Sequence, residues 1–327
     1  MAPGKDYQTK RDFNESPEPE ALVTGDVNPH RAEIGETFVI HQHHATRLHF
    51  DLRLEMLNGR TPVLVSWAVP KNLPLERGKR HLAIHVEDHP FDYGSFSGKI
   101  PAGNYGAGEV RIFDSGKLEI LERDGKKLTF RLLGRRIQGV FHLIQTSAED
   151  DKWLVLLDAD ERPPREPLPR MDPMIPIDAH ELPTGTDWSY EPLWPGKRIL
   201  VRADSETHLI GEGIDGSDAG LATIHRQIVA TDAFLDGLLV GPGFVAVDLL
   251  YMDGRSLVDS PFQERRRLLE DAIVSSSTIQ VGLIERDSGA LLKAVMSQGF
   301  TGVVAKSLSS KYLSGVSSQS WVRIRIS

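Results

Sequence analysis

Between residues 36 and 160 the sequence is a close succession of short segments in which apolar and polar residues alternate. Alternation with a period of two is the pattern of β-strands, because successive side chains point to opposite faces of a sheet. Many short strands separated by turn residues, with almost no helical periodicity, are typical of a small barrel or sandwich. The segments with this pattern are FVIHQHH, LHFDLRLE, PVLVSWAV, HLAIHV, EVRIF, KLEIL, KLTFRLL, GVFHLIQ and KWLVLLDA.

A proline-rich stretch divides the 327-residue chain. Residues 161–187 contain seven prolines and are predicted to be an extended linker. Residues 188–327 mix strand and helix patterns, which predicts an α+β domain. Residues 1–35 are polar and are predicted to form an arm that packs on the β domain of residues 36–160. We therefore expect a multidomain protein, whose length is sufficient for two hydrophobic cores.

The composition excludes several classes of function. The chain has no cysteine, so disulfides, thiolate nucleophiles and cysteine-type zinc sites are excluded. Its net charge of −8 argues against a protein that coats nucleic acid, although a local basic groove is compatible with it. Because the sequence has no run of about 18 apolar residues and no apolar signal segment, we expect no membrane contact and a cytoplasmic location.

Histidine is concentrated in the predicted β domain, where seven of the 12 histidines lie between His41 and His89. Histidine is the commonest metal ligand in proteins and a frequent acid–base group. In the segment LHFDLRLE, a strand would place His49 and Asp51 on one face and the leucines on the other. A hairpin would bring His43, six residues before His49, beside it. A solvated polar face is the alternative interpretation of the same alternation.

Two imidazoles and a carboxylate, with coordination positions left open, are typical of a catalytic transition-metal site. We therefore predict that His43, His49 and Asp51 bind a divalent metal, and these ligand types suit Mn²⁺, Zn²⁺ and Fe²⁺ equally well. Arg53 shares the predicted strand face, and its planar guanidinium can bind phosphate through two N–H groups. An arginine beside a metal favours a phosphoryl substrate over a peptide or a sugar.

Other candidate residues lie in the segments that follow. His89 and Tyr93, in VEDHPFDY, could donate to a phosphate oxygen or protonate a leaving group, and an ordinary turn is the alternative interpretation. Lys71, just after SWAVP, is a candidate phosphate contact. The glycine-rich residues 98–108 lack the GK[ST] ending of a P-loop, and we interpret them as tight turns at a barrel rim.

The first half of the chain resembles a known family. KRDF, FVIHQHHATRLHFDLRLE, SWAVPK and HVEDHPFDYGSFSGKIPAGNYGAGEV, in that order, are similar to the 3′-phosphoesterase module of bacterial DNA ligase D. The resemblance implies a small closed all-β barrel with a few short helices. It implies an enzyme that uses manganese to remove a 3′-terminal ribonucleotide and then the 3′-phosphate, in non-homologous end joining. The residues that it implies are metal ligands His43, His49 and Asp51, catalytic residues Arg53, His89 and Tyr93, and substrate contacts Lys71, Arg11, Asp12 and Glu18.

Two positions depart from the family pattern. His41 stands where the family usually has glutamine, and His81 stands where it usually has arginine. Arg80 is adjacent, but on a strand it would point to the face opposite to that of His81. We expect His41 to perturb the metal site, and we expect His81, with Arg80 beside it, to give a weaker substrate contact.

The second half resembles the adenylation domain of ATP-dependent DNA ligases, which implies an α+β nucleotidyltransferase-like fold. DWSYEP, FVAVDLLYMDGR, GVVAK and WVRIR carry the resemblance. The sequence ends before any oligonucleotide-binding-fold domain, so we expect a truncated ligase. Forming a lysyl-AMP requires an amine, and holding Mg²⁺ requires carboxylates. The motif positions that should supply these groups, and the lysines of the last motif, are occupied by Leu193, Pro195, Leu238, Thr301, Arg323 and Arg325.

The sequence thus predicts a Mn²⁺-dependent 3′-end-processing phosphoesterase joined to a pseudo-ligase domain that forms no ATP or AMP adduct. Zn²⁺ or another divalent transition metal would also fit the ligand set. The implied partners are DNA primer–template 3′ ends, Ku, and a separate ligase or polymerase, with association to the nucleoid during repair. Two alternatives remain open at this point: a non-catalytic module that binds DNA ends or Ku-like partners, and a small-molecule metallophosphoesterase.

Overall fold

The structure is a computed structural model that describes residues 7–20, 33–58, 61–124, 126–147, 151–168, 170–212, 214 and 220–326. The chain divides into two compact units, Met1–Pro163 and Pro164–Ser327. No helix in the described part of the chain has the length and apolarity that crossing a bilayer requires.

The first unit consists almost entirely of antiparallel strands. Its strands are β1 (Glu33–His44), β2 (Leu48–Asn58), β3 (Thr61–Val69), β4 (Arg80–His85), β5 (His89–Pro90), β6 (Gly98–Ile100), β7 (Gly108–Asp124), β8 (Lys127–Gly134), β9 (Gln138–Ser147) and β10 (Lys152–Asp160). Short 3₁₀ helices occupy Gln8–Lys10 and Phe91–Ser95.

Eight of these strands close into a barrel within the described residues. β1, β2, β3, β4, β10, β9, β8 and β7 are hydrogen-bonded in that order, and β7 pairs again with β1. Closure leaves no free edge among the eight strands, which is how small antiparallel barrels avoid edge-to-edge association. The predicted small closed barrel is therefore confirmed.

The two faces of the barrel strands have different partners. On one face Leu52 and Trp67 are fully buried, and the ring of Trp67 packs on that of Trp153 from the non-adjacent β10, with centroids 5.7 Å apart. A contact between strands that are not neighbours places this face inside the barrel. On the other face Val39 and Leu64 are buried under aromatic side chains from residues 7–20 and from the segment after β5. The polar stripe of β2 lies on this second, covered face.

The second unit combines sheets with two α-helices in its described part. Its elements are β11 (Ile175–Asp178), β12 (Trp188–Pro192), β13 (Lys197–Ala203), β14 (Thr207–Ile210), a 3₁₀ helix (Leu221–Gln227), β15 (Ala233–Val240), β16 (Gly243–Met252), β17 (Arg255–Ser256), α1 (Phe262–Ala272), β18 (Ile279–Val281), α2 (Ser288–Ser297), β19 (Gly302–Ser307) and β20 (Ser317–Arg325). One sheet has the order β14-β13-β15-β16-β17, with β18 paired to β16, and the other has the order β11-β20-β19-β12. The predicted α+β class of this domain is confirmed.

The structure corrects the prediction that all of residues 161–187 form a linker. β11, inside this stretch, pairs in parallel with β20, and Met174 is buried beside Tyr312 and Trp321. Proline lacks the N–H that a strand ladder needs, but β11 is an edge strand, where one such loss is tolerated. The second half of the stretch therefore belongs to the second unit.

The predicted N-terminal arm is described only at residues 7–20 and from residue 33, where β1 begins. Tyr7 is buried against Val39, Leu64 and Tyr93, and its hydroxyl donates to the carbonyl of Pro19 at 2.8 Å. This part of the arm packs on the barrel as predicted. Residues 1–6 and 21–32 lie outside the described residues.

Candidate metal and phosphate site

The hairpin of β1 and β2 brings together the three residues predicted to bind a metal. His43 lies directly opposite His49 in the register, and Asp51 is two residues further along β2 on the same face. One ligand atom from each of His43, His49 and Asp51 lies within 4.8 Å of the other two. The atoms that converge are His43 Nδ1 and His49 Nε2, which lie 3.7 and 3.5 Å from the two Asp51 oxygens.

Hydrogen bonds on the far side of each ring fix which nitrogen faces the site. His43 Nε2 lies 2.8 Å from the carbonyl of Gly106, and His49 Nδ1 lies 3.0 Å from that of Arg47. Because a carbonyl can only accept, each of these nitrogens carries a proton, and the opposite nitrogen, which faces Asp51, is the one that could supply a lone pair to a metal. Metal-binding histidines usually have this arrangement. The residues present therefore fit a divalent transition metal held by two imidazoles and one carboxylate.

Arg53 continues the same stripe and is held by three neighbours. Its Nε donates to His41 Nδ1 at 3.1 Å, one terminal nitrogen donates to Ser66 Oγ at 2.9 Å, and the other donates to Asp51 Oδ2 at 2.8 Å. Burial alone would raise the pKa of Asp51, but the Arg53 guanidinium and the two histidines lower it well below its usual range. Asp51 is thus ionised at neutral pH and is able to act as a metal ligand.

His89 reaches the same network from β5, which pairs with β3. Its Nδ1 lies 2.9 Å from the carbonyl of Glu87, and its Nε2 lies 3.3 Å from an Arg11 terminal nitrogen, so Nδ1 donates and Nε2 accepts. Burial, followed by the charges of Arg53 and Arg11, lowers the pKa of His89 well below its usual value. The ring is therefore neutral near pH 7 and carries no positive charge.

Residues 7–20 close the site on the His89 side. Arg11 donates to Glu18 at 2.8 Å and to Glu87 at 3.3 Å, and its guanidinium lies 3.8 Å from the centroid of the Tyr7 ring. Burial lowers the pKa of Arg11, but the hydrogen bond to Glu18 and the nearby negative charges raise it by more. The net pKa therefore lies above the usual value. Arg11 and Glu18, which the resemblance implied, are thus part of the site's wall.

Tyr93 packs edge-on against two site histidines. Its ring centroid is 4.7 Å from that of His89 and 5.6 Å from that of His41, and the Arg53 guanidinium lies 4.8 Å from it. Burial raises the pKa of the Tyr93 hydroxyl, so this residue stays protonated at neutral pH. The hydroxyl can therefore donate a hydrogen bond to an anionic ligand.

Other predicted contacts are not part of the hydrogen-bonded network around Arg53, as far as the described residues show. Lys71 is exposed in the turn after β3, and Arg80 is exposed on β4. His81 donates through Nδ1 to the carbonyl of Asn72 at 2.7 Å. Asp12 is exposed and accepts from the backbone and side chain of Asn14. A role for these four residues in binding substrate stays a prediction.

Three supporting residues were not found from the sequence. Ser66 is fully buried and accepts from Arg53, Glu87 pairs with Lys10 and Arg11, and the Gly106 carbonyl orients His43. Ser66 is the polar residue in the apolar strand PVLVSWAV, a pattern that could have singled it out. Nothing in the sequence indicates the Gly106 contact, because it joins positions 63 residues apart.

In the second unit, charged residues in and near the segments that resemble ligases are paired with one another. Lys306 Nζ lies 2.8 Å from Glu191 Oε1 and 4.2 Å from the centroid of the Trp321 ring. Arg198 makes two hydrogen bonds of 2.5 Å to Asp236. Burial lowers the pKa of Lys306 against the opposing effect of Glu191. These four groups form two ion pairs, in which Lys306, Glu191 and Asp236 are buried and the side chain of Arg198 is 28% exposed.

Known proteins match both units. The family described as the DNA ligase D 3′-phosphoesterase domain matches residues 41–145, and the ATP-dependent DNA ligase domain matches residues 238–325. The multifunctional non-homologous end joining protein LigD of Mycobacterium bovis is 35% identical over 352 residues, which cover 97% of this chain and 44% of that protein. The LigD of Pseudomonas aeruginosa is 30% identical over 409 residues, which cover 99% of this chain and 47% of that protein.

Among solved structures, the ligase domain of M. tuberculosis LigD is similar, with a TM-score of 0.39 and 27% identity over 47% of this chain and 58% of that one. The present chain spans less than half the length of the curated relatives named above.

These matches define the class of the chain: a 3′-phosphoesterase domain is followed by the adenylation domain of an ATP-dependent DNA ligase. The chain is homologous to the LigD proteins, because its similarity to the M. bovis protein extends over nearly its whole length. Both resemblances drawn from the sequence are therefore confirmed.

Proposed function

We propose that the first unit is a Mn²⁺-dependent phosphoesterase that removes 3′-terminal ribonucleotides and 3′-phosphates from DNA ends during non-homologous end joining. The observation that carries the proposal is the convergence of His43 Nδ1, His49 Nε2 and Asp51 beside the guanidinium of Arg53. A manganese ion bound there would supply Lewis acidity at a phosphoryl oxygen and a more acidic water. The match to the 3′-phosphoesterase family supports the choice of substrate.

Arg53 is the residue best placed to bind the phosphoryl group. A guanidinium has five N–H groups. Three of them in Arg53 are used on His41, Ser66 and Asp51, which leaves two to donate to a phosphate. Because the charge is fixed before substrate arrives, it can stabilise negative charge in the transition state without reorganisation.

His89 contributes by holding Arg11 in place rather than by carrying a charge. The Arg11 contact directs the Nε2 lone pair, and Arg11 itself supplies a second cation on that side of the site. Tyr93, held protonated, is suited to donate to a phosphate oxygen. We thus assign charge neutralisation to Arg53 and Arg11, positioning of Arg11 to His89, and orientation of the phosphate to Tyr93.

We further propose that the second unit does not form a lysyl-AMP. Leu193 follows β12 at the position of the nucleophilic lysine, and its N–H donates to the carbonyl of Gly302. The amine of the GVVAK segment, that of Lys306, is buried and paired with Glu191. On this proposal the unit serves as a scaffold for DNA ends, Ku, or a separate ligase or polymerase.

The test of the first proposal uses a primer–template that ends in a single 3′ ribonucleotide, with and without Mn²⁺. We expect metal-dependent loss of the ribonucleotide and then of the 3′-phosphate, and we expect Asp51→Asn to abolish both steps and weaken Mn²⁺ binding in calorimetry. Asp124→Asn, which alters an exposed carboxylate at the end of β7, is the matched control and should act like the wild type.

Three outcomes would contradict the proposal in different ways. Absence of trimming by the wild type with any divalent metal would exclude the enzyme. Tight binding of the same DNA end without trimming would favour the non-catalytic binding module. Hydrolysis of p-nitrophenyl phosphate without any action on DNA would favour the small-molecule phosphoesterase, an alternative that the net charge of −8 makes worth testing.

A further inference from the structure

Tyr105 is an exposed aromatic residue in the glycine-rich loop between β6 and β7. Its relative exposure is 49%, although most aromatic rings of the barrel are buried. The turn around it depends on glycine, because Gly103 and Gly106 have φ of +97° and +74°. From the sequence alone, we interpreted this loop only as tight turns at a barrel rim.

The loop is fixed to the metal-ligand side of the site. Gly106, the residue after Tyr105, accepts through its carbonyl from His43 Nε2 at 2.8 Å. A Cβ added to Gly106 would lie 3.7 Å from His43 Cε1, so the backbone runs in contact with the imidazole. Tyr105 is thus one residue away from the group that orients a metal ligand.

The ring of Tyr105 is also joined to the opposite wall of the site. Lys10 Nζ lies 4.8 Å from the ring centroid, and the guanidinium of Arg11 lies 5.4 Å from it. Arg11 is the residue that contacts His89 Nε2. The exposed ring therefore lies at the rim of the phosphate site, between the metal ligands and the His89 side, with two cations beside it.

We propose that Tyr105 is the stacking platform for the terminal nucleobase of the DNA strand whose 3′-phosphate enters the Arg53 site. The inference rests on the proposed 3′-end activity and specifies the part of the substrate that is recognised. An aromatic ring next to basic side chains is the arrangement by which proteins bind single-stranded ends without reading sequence, since every base has a π-face. The neighbouring cations attract the phosphates on either side of that base.

The geometry predicts that binding requires a base at the end of the strand but does not depend on which base it is. The phosphate end would be held by Arg53, and the base would lie on Tyr105. Loss of the ring should then weaken binding of a strand with a terminal base and leave a strand with a terminal abasic residue unaffected. A purely structural ring, which only packs on Lys10 and Arg11, would alter both strands equally.

The experiment measures equilibrium binding by fluorescence anisotropy, in EDTA so that no turnover occurs. The probes are two labelled primer–templates with a 3′-phosphate, one with a normal terminal nucleotide and one with an abasic tetrahydrofuran residue there. The proteins are the wild type, Tyr105→Phe, Tyr105→Leu and the control Leu121→Ala, which alters a residue of β7 with a similar exposure of 48%. Thermal denaturation checks that each variant is folded.

We expect Tyr105→Leu to weaken binding of the base-terminated strand by roughly tenfold, the loss typical of one stacked base, with no change for the abasic strand. Tyr105→Phe and Leu121→Ala should retain the wild-type preference for a terminal base. Equal weakening for both strands, no weakening for either, or no base preference in the wild type would each overturn the proposal.

Trimming assays on the same proteins separate this inference from the function on which it rests. Normal Mn²⁺-dependent trimming with no base-specific loss in Tyr105→Leu would overturn the stacking role alone. Absence of trimming, together with a base-specific loss of binding in Tyr105→Leu, would overturn the enzyme and retain the end-binding platform. If the 3′-end activity and the stacking role of Tyr105 are both correct, Tyr105→Leu should raise KM for the base-terminated strand far more than it lowers kcat.

Discussion

Arg53 shows how a single buried cation can be fixed before any substrate arrives. Its side chain is about 3% exposed, and each arm of its guanidinium has an acceptor on a different residue. His41, one of the two departures from the family pattern, is one of these acceptors. Burial, followed by the charge of Arg53, lowers the pKa of His41 to about 3, so the imidazole is neutral and its Nδ1 lone pair is free to accept. The expected effect of His41 is therefore on Arg53, in addition to any effect on the metal.

We predict that His41→Leu destabilises the first unit by about 1–3 kcal/mol, because it leaves the Nε–H of a buried arginine without an acceptor. His41→Gln supplies a carbonyl oxygen in the same place and should cost less than about half of that. The free energy of unfolding from urea titrations, read by amide hydrogen exchange in β1 and β2, would measure both. Equal values for Gln and Leu would show that the acceptor does not matter.

At the scale of single elements, a buried ion pair attaches helix α1 to the sheet of the second unit. Arg265 donates to both oxygens of Asp248 on β16 at 2.8 and 2.9 Å, and both side chains are fully buried. The remaining terminal nitrogen of Arg265 donates to the carbonyls of Ser260 and Ser310. A buried pair of this kind costs much desolvation, so removal of one partner leaves an unpaired charge in the core.

We predict that Arg265→Leu destabilises the second unit by about 3–5 kcal/mol. The same helix provides the control: Arg267 pairs with Asp271, but the two side chains are 64% and 63% exposed, and Arg267→Ala should cost less than about 1 kcal/mol. Calorimetric unfolding, with hydrogen exchange in α1 and β16, separates the two variants. Similar losses for both would show that burial does not set the strength of these pairs.

At the scale of the whole molecule, the chain combines a cluster of groups able to bind a metal with a ligase-like domain that we propose is inactive. The first unit retains two imidazoles, a carboxylate and a fixed arginine in one cluster. In the second unit, the positions that the resemblance to ligases assigns to the nucleophile and to two carboxylates carry Leu193, Leu238 and Thr301. The homology to LigD covers both units, so the difference lies in side chains and not in the fold.

We predict that the protein forms no covalent AMP adduct when it is incubated with radiolabelled ATP and Mg²⁺ or Mn²⁺. We also predict that Leu193→Lys alone does not restore one, because Pro195, Leu238 and Thr301 still leave the metal without carboxylates. Intact-mass spectrometry would detect an adduct as a mass increase. An adduct on the wild type would overturn the pseudo-ligase proposal, and one on Leu193→Lys alone would show that a single change inactivated the domain.

The features that depend on local geometry could be predicted from the sequence alone. Along β2, alternate side chains point to the same face, so His49, Asp51 and Arg53 must lie on one face of any strand that contains them. A short turn then brings His43 opposite His49. For the same reason the missing lysine and carboxylates of the ligase motifs could be read directly, since each is a matter of residue identity at one position.

The features that join distant parts of the chain could be found only in the folded structure. Pairing of β7 with β1 closes the barrel, Ser66 comes to Arg53 from β3, and residues 7–20 bring Arg11 to His89. The proline-rich stretch likewise contributes β11 to a sheet whose partner strand, β20, lies more than a hundred residues later. Contacts of this kind depend on how the chain folds back on itself, and no local pattern records them. The tautomers of the ligands and the rim position of Tyr105 therefore became visible only in three dimensions.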